Sequence, residues 1–243
     1  MRTLILGGTG EAAALARALA GRDVVTSLAG RTAAMPDLPG RVRIGGFGGA
    51  AGLEAFLRAE GIGAVVDATH PFAARISAHA AEACAALAVP RLVLARPAWE
   101  KAPGDTWVEV DTMAEAAAAL PALGRRVFLT VGSQEAAFAA VTGVHFVVRL
   151  IAPGSPPLAD CTVVTGRGPF TEAGEAALLR VHRIDVVVSK ASGGAATYPK
   201  IAAARALGIP VLMIRRPPPP PGPAVSSLVD AVAWVEGVTP SPA

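Results

Sequence analysis

The sequence predicts an α/β protein made of two Rossmann-like parallel-sheet lobes with an interlobe cleft. Three observations carry that expectation. Short β-branched runs alternate along the chain with Ala- and Leu-rich helical stretches, the order that builds βαβ units and a parallel sheet. The first run breaks at Gly7-Gly8-Thr9-Gly10, a glycine turn between strand and helix. The scheme then recurs. Residues 64–67, a loop and a helix lead to a run ending in Arg96-Pro97, and residues 185–188, a loop and a helix lead to one ending in Arg216-Pro217.

Taken in order, residues 3–6 form an apolar strand and residues 11–20 have the Ala/Leu/Arg composition of a good helix. Residues 23–28 and 41–44 are the second and third strands, the latter followed by Gly45-Gly46-Phe47-Gly48-Gly49. Residues 53–60 are helical, residues 63–68 a fourth strand, residues 73–87 an Ala-rich helix and residues 90–95 a fifth strand. A helix at 112–120 precedes the second set of strands, at 126–131, 145–150, 162–165, 185–189 and 210–214. The Pro-rich run 217–223 is expected to be a polyproline connector to a last helix at 226–235. The boundary is expected between residues 124 and 125.

Composition narrows the function. With 52% hydrophobic residues and a formal charge of only +3, the 243-residue chain lacks the signature of disorder. Two cysteines cannot staple a disulfide scaffold, and Cys84 and Cys161 have no CxxC or histidine partner, so neither metal nor thiol chemistry is expected. His79, His145 and His182 fall inside helix or strand patterns and suggest no site. No basic cluster is interleaved with aromatics, so no nucleic-acid partner is expected. No stretch of about 18 apolar residues escapes Arg, Asp, Glu, Gly or Pro, so no membrane span is expected. The apolar run of MRTLILGGTG is too short for a signal peptide, and a cytoplasmic location is expected. No heptad or large amphipathic stripe demands a partner, which fits a monomer or weak homo-oligomer. A sequence pI near 9.3 suits a small anionic ligand.

Where that ligand would sit is written in the glycines. Gly8-Thr9-Gly10-Glu11-Ala12-Ala13 fits G-x-G-x-x-G/A between a strand and a helix, where backbone can approach a pyrophosphate held at a helix N-terminus. The end of the second strand, Ser27-Leu28-Ala29-Gly30-Arg31-Thr32, has no acid for a ribose 2′-hydroxyl and offers Arg31, which suits a 2′-phosphate and favours NADP. Gly46, in the cluster after the third strand, would border the same crevice unless that cluster is a plain loop. After the fourth strand, Asp67-Ala68-Thr69-His70-Pro71-Phe72 puts Thr69 and His70 at the carboxyl edge of the sheet, with His70 either a proton donor or a structural hydrogen-bonding group. The matching loop of the second lobe holds Lys190, Ser192, Gly193, Gly194, Thr197 and Lys200 before a helix. Ammonium groups, hydroxyls and paired glycines there compose a receiver for a polyanion. It lacks P-loop order. Gly166-Arg167-Gly168-Pro169-Phe170 and Gly132-Ser133-Gln134 add short loops at the same edge.

These stretches, with Arg96-Pro97-Ala98-Trp99, Lys190-Ala191-Ser192-Gly193-Gly194 and Leu207-Gly208-Ile209-Pro210-Val211, occur in an order that resembles the precorrin-6A reductase family of cobalamin biosynthesis. Asp67-Ala68-Thr69-His70-Pro71-Phe72 with the later Lys-x-Ser-Gly-Gly is the specific part, and Ala191 departs from an Asn frequent in the family. The resemblance implies a two-domain enzyme, residues 1–124 binding NADPH and residues 125–243 binding substrate, that reduces precorrin-6A to precorrin-6B by hydride transfer. It implies a pyrophosphate on Gly8, Thr9, Gly10 and Glu11, a 2′-phosphate on Arg31, and macrocycle carboxylates on Lys190, Ser192, Gly193, Gly194, Thr197 and Lys200. His70, solvent or a substrate carboxyl would supply the proton. Two rivals stay open on the residues: a cobalt-precorrin-6A reductase and a non-catalytic NADP-binding sensor.

Overall fold

Residues 1–30 and 37–238 are described in a computed structural model of the chain. In chain order the first elements are β1 Arg2–Leu6, α1 Gly10–Ala18, β2 Val24–Leu28, β3 Arg41–Ile44, α2 Ala50–Ala59, β4 Ile62–Asp67, α3 Ala74–Ala86 and β5 Arg91–Leu94. There follow β6 Trp107–Val110, α4 Met113–Leu123, β7 Arg126–Thr130, β8 His145–Leu150, β9 Cys161–Thr165, α5 Glu172–Val181, β10 Val186–Lys190, α6 Pro199–Ala206 and β11 Val211–Ile214. Strand β12, Ala224–Val225, and helix α7, Leu228–Gly237, close the series.

The chain divides into two units. The first is Met1–Pro97 together with the segment from Pro217 on; the second is Ala98–Arg216. Each holds one six-stranded sheet, in the orders β12-β5-β4-β1-β2-β3 and β6-β11-β10-β7-β8-β9. All pairings are parallel. Parallel strands covered on both faces read as continuous apolar runs, and Leu4-Ile5-Leu6 in β1 and Val186-Val187-Val188 in β10 are almost wholly buried. In the first unit α1 and α7 cover one face, with Leu15, Val66, Leu92 and Val235 in one cluster. Helices α2 and α3 cover the other, with Leu53, Leu57, Val65 and Cys84. In the second unit α5 and α6 close one face through Leu179, Ile201, Val187 and Met213. Each fully buried Leu, Ile or Val contributes about 1.5–3 kcal/mol relative to exposure.

The expected strands and helices are present near their predicted places, and β6, α5 and β12 are additional. The expected cut between residues 124 and 125 is replaced by two crossings, after Pro97 and after Arg216. The reason is pairing beyond local reach. Strand β6 lies beside β11, Val211 opposite Trp107, and so takes α4 into the second unit. Strand β12 lies beside β5, Ala224 opposite Val93, and brings α7 back onto α1. The Pro-rich run is therefore more than a connector to a helix: the buried Arg91 donates from Nη2 to the Pro221 carbonyl at 2.7 Å, fixing it against the first sheet.

Candidate functional site

In each sheet the strand order reverses between two central strands, and ligands of open parallel sheets bind beyond the carboxyl ends of the strands there. In the first unit those strands are β1 and β4, with Leu6 opposite Asp67, so the loops after both leave the same edge. Thr9 joins the two loops. Its hydroxyl donates to the Ala68 carbonyl at 2.7 Å and accepts the Ala12 N–H at 3.1 Å as the N-cap of α1.

Gly8 takes φ +105°, a conformation costly for any other residue. Gly10 is different: its backbone is ordinary, and a Cβ added there meets nothing within 4 Å. Neither strain nor packing requires glycine at that position. An approaching ligand would, and the first-turn N–H groups of α1 point that way. The residues thus fit a dinucleotide pyrophosphate. The Glu11 side chain is not free to oppose it, because Arg96 Nη2 holds its carboxylate at 2.8 Å. Glu11 therefore offers its backbone N–H at this edge, and Arg96 of the Arg96-Pro97 pair acquires a role.

Thr69 turns inward. Its Oγ1 donates to Asp67 Oδ1 at 2.7 Å, its N–H donates to the same oxygen, and Ser77 Oγ lies 3.3 Å away. His70 is half-buried, and its Nδ1 accepts the Phe72 N–H at 3.2 Å. In the neutral ring this bond assigns the proton to Nε2. Gly46 lies exposed after β3, and its carbonyl is held by Arg43, which donates to Gly45 O at 2.6 Å and Gly46 O at 2.7 Å. The Arg43 guanidinium also stacks 3.9 Å over the Phe47 ring. The sequence reading missed Arg43; the arginine alternation in Arg41-Val42-Arg43-Ile44 was the available signal. Arg31 lies outside the described residues.

In the second unit β7 and β10 flank the reversal, with Ser189 opposite Thr130. The loops 131–134 and 191–197 leave that edge together. Lys190 Nζ donates to Gln134 Oε1 at 3.2 Å, bridging them. Gly193 and Gly194 both take positive φ, +72° and +80°. Ser192 and Gly193 are buried, while Thr197 is partly exposed. The carbonyls of the loop are held one by one: Arg216 donates to Ala191 O and Ser192 O, Trp99 Nε1 to Gly194 O at 2.8 Å, and the Phe170 N–H to Ala196 O. Among the described residues the N–H groups of Gly193, Gly194 and Ala195 have no partner.

Lys200 is placed differently from its neighbours in the motif. It is 5% exposed, and its Nζ donates to the Thr197 carbonyl at 2.9 Å. It stands 5.0 Å over the Trp99 ring. Burial pushes its pKa down to about 7, with Glu175 pulling the other way and Arg149 and Lys190 adding to the fall. Arg149 and Glu175 form a buried ion pair at 2.8 Å, the guanidinium lying over the Phe128 and Phe170 rings. Lys190, Ser192, Gly193, Gly194 and Thr197 are thus gathered at one edge, and Lys200 lies beneath it. Burial drives the Cys84 thiol up to about 11 and away from thiolate chemistry. Among the described residues there is no group of His, Cys, Asp or Glu that could hold a metal ion, and no helix is long and apolar enough to cross a membrane.

Comparison with known proteins gives the family and the overall fold. A family profile described as Precorrin-6x reductase CbiJ/CobK matches residues 2–236. A precorrin-6A reductase of Rhodococcus erythropolis is 53% identical over 247 residues, covering 98% of each chain. A cobalt-precorrin-6A reductase of Priestia megaterium is 30% identical, covering 94% of this chain and 96% of that one. The solved structure of a CobK precorrin-6A reductase superimposes with a TM-score of 0.91 at 45% identity, covering 99% of this chain and 98% of the other.

Proposed function

Because the chain belongs to the precorrin-6x reductase CbiJ/CobK family, we propose that it is an oxidoreductase of cobalamin biosynthesis that reduces precorrin-6A to precorrin-6B with NADPH. The observation that carries the cofactor assignment is the glycine turn at the β1/β4 reversal, where Gly10 leaves room that the protein does not fill. When bound, NADPH supplies the hydride. The chain supplies placement: Gly8, Thr9, Gly10 and the Glu11 N–H cradle the pyrophosphate, Gly46 and Thr69 border the dinucleotide, and Arg31 meets the 2′-phosphate. Acetate and propionate groups of the macrocycle are received by Lys190, Ser192, Thr197 and the N–H groups that follow Gly193. His70 in its imidazolium form is the protein's proton donor, and the neutral ring with Nε2–H and with Nδ1 accepting from Phe72 is the form left after transfer. Unchanged turnover and pH profile in His70→Ala would return that role to solvent or a substrate carboxyl. The metal-free macrocycle is the favoured substrate, since identity is 53% to the precorrin-6A reductase against 30% to the cobalt-precorrin enzyme. The reaction is placed in the cytoplasm, with the chain acting as a monomer or weak homo-oligomer.

Anaerobic stopped-flow mixing of protein, NADPH and precorrin-6A tests this directly. Nicotinamide absorbance should fall in proportion to substrate reduced. NADPH binding without that loss would mean a sensor rather than a reductase, and a parallel run with the cobalt-loaded macrocycle decides between the two substrates. Arg31→Ala should weaken NADPH far more than NADH, and equal losses would remove Arg31 from the 2′-phosphate.

A further inference from the structure

We infer that Lys200 is a positioning residue that acts through the loop above it and makes no contact with the substrate, a conclusion that rests on the reading of loop 190–197 as the receiver of substrate carboxylates. A lysine in an anion-receiving motif is naturally assigned to the anion. The geometry points elsewhere. Lys200 sits in the first turn of α6 with its side chain buried at 5% exposure, and its Nζ is committed to the Thr197 carbonyl at 2.9 Å. Amine and ammonium both donate to that oxygen, so the link survives deprotonation.

The same nitrogen lies 5.0 Å over the face of Trp99. Trp99 in turn donates from Nε1 to the Gly194 carbonyl at 2.8 Å and packs against Tyr198 at 5.8 Å between ring centroids. Arg205 holds the Tyr198 hydroxyl at 2.8 Å. Lys200 and Trp99 are therefore two fingers of one clamp. Between them they hold the carbonyls of Gly194 and Thr197, the two ends of the short helical turn Ala195–Thr197.

The function of such a clamp follows from the peptide plane, in which N–H and C=O point in opposite directions. Trp99 on the Gly194 carbonyl turns the Ala195 N–H of the same peptide away from it, and Arg216 on the Ser192 carbonyl does so for the Gly193 N–H. Lys200 fixes the far end of the turn, where the Tyr198 N–H closes on the Ala195 carbonyl. The N–H groups of Gly193 and Ala195 have no partner among the described residues. Preorganised donors bind an anion without the cost of ordering a loop. Removing one finger should let peptide planes rotate, so the loss falls on substrate binding and spares NADPH.

The test compares Lys200→Met, which keeps side-chain length, Trp99→Phe, which keeps the ring and removes the donor, and Lys190→Met. Each clamp variant should raise the KM for precorrin-6A about tenfold, the scale of one lost hydrogen bond to a charged group, with kcat and NADPH affinity little changed. The double variant should be scarcely worse than the worse single one, because both act on the same loop. The slope of log KM against log ionic strength should stay at the wild-type value in Lys200→Met and fall in Lys190→Met, which removes a charge facing the ligand. A reduced slope in Lys200→Met would mean that Lys200 touches the substrate and would overturn the inference. An effect in Lys190→Met with none in either clamp variant overturns it as well while leaving the carboxylate loop intact. No effect in any of the three removes the loop from substrate binding altogether.

Discussion

Gly10 stands in open space, as its motif requires, whereas Lys200 is enclosed although its motif implies a side chain turned to the ligand. At Gly10 the surroundings are empty, so Gly10→Ala should leave the fold intact and, by restricting the unfolded chain, stabilise it by about 0.4–1 kcal/mol. The added methyl group should nevertheless weaken NADPH about tenfold, since it enters the space the pyrophosphate needs. Urea unfolding and fluorescence titration of the same preparation read the two effects separately, and parallel losses in both would deny Gly10 a ligand. At Lys200 the surroundings are crowded, and its depressed pKa has a consequence for stability. Below about pH 7 the ammonium is present folded and unfolded; between about 7 and the unfolded value of 10.5 only the unfolded chain holds the proton. The unfolded state then binds more protons, so stability rises with pH through this window, by up to about 1.4 kcal/mol per pH unit. Lys200→Met should flatten that rise in urea titrations at successive pH values, and an unchanged slope would show that the ammonium is not desolvated.

The segment from β1 to α1 shows what sequence can carry at the level of an element. Strand, glycine turn and helix are all specified within a few neighbouring residues and were readable because each depends on local chemistry, while the capping role of Thr9 emerged only with its hydrogen bonds. Thr9 does double duty there, and Thr9→Val should cost about 1–2 kcal/mol through loss of the cap on Ala12 and the bond to Ala68. NADPH affinity should fall with it; a stability loss with unchanged affinity would separate the cap from the site. Strand β6 shows the opposite case. Trp107-Val108-Glu109-Val110 is short, and its partner β11 lies about a hundred residues along the chain, so nothing local announces it. Strand β12 has two residues and owes its existence to β5. The direction of Lys200 was hidden for a related reason: its burial depends on Trp99, which arrives from a loop far away in sequence.

For the whole molecule, the same remote pairings make the second unit an insertion between the fifth and sixth strands of the first. All six strands of the second sheet lie within Ala98–Arg216, so that segment expressed alone should give a cooperative unfolding transition and protected amides in β7 and β10. Residues 1–97 alone should not, because β12 and α7 are missing and the side chains that α7 covers, Leu15 and Leu92 among them, lie open. Independent folding of 1–97 would show that the sixth strand and last helix are ornaments on a finished core.

The insertion also sets a timetable for synthesis. A ribosome delivers the chain from residue 1, yet the half made first cannot close its sheet until Ala224 and Val225 have emerged. The half made second has its last strand once Ile214 is clear. The usual N-terminal-first order of domain folding is thereby reversed in its final step. During that interval the exposed edge of β5 is open to mispairing, and the chain's exposure to it is set by how quickly the second unit is translated.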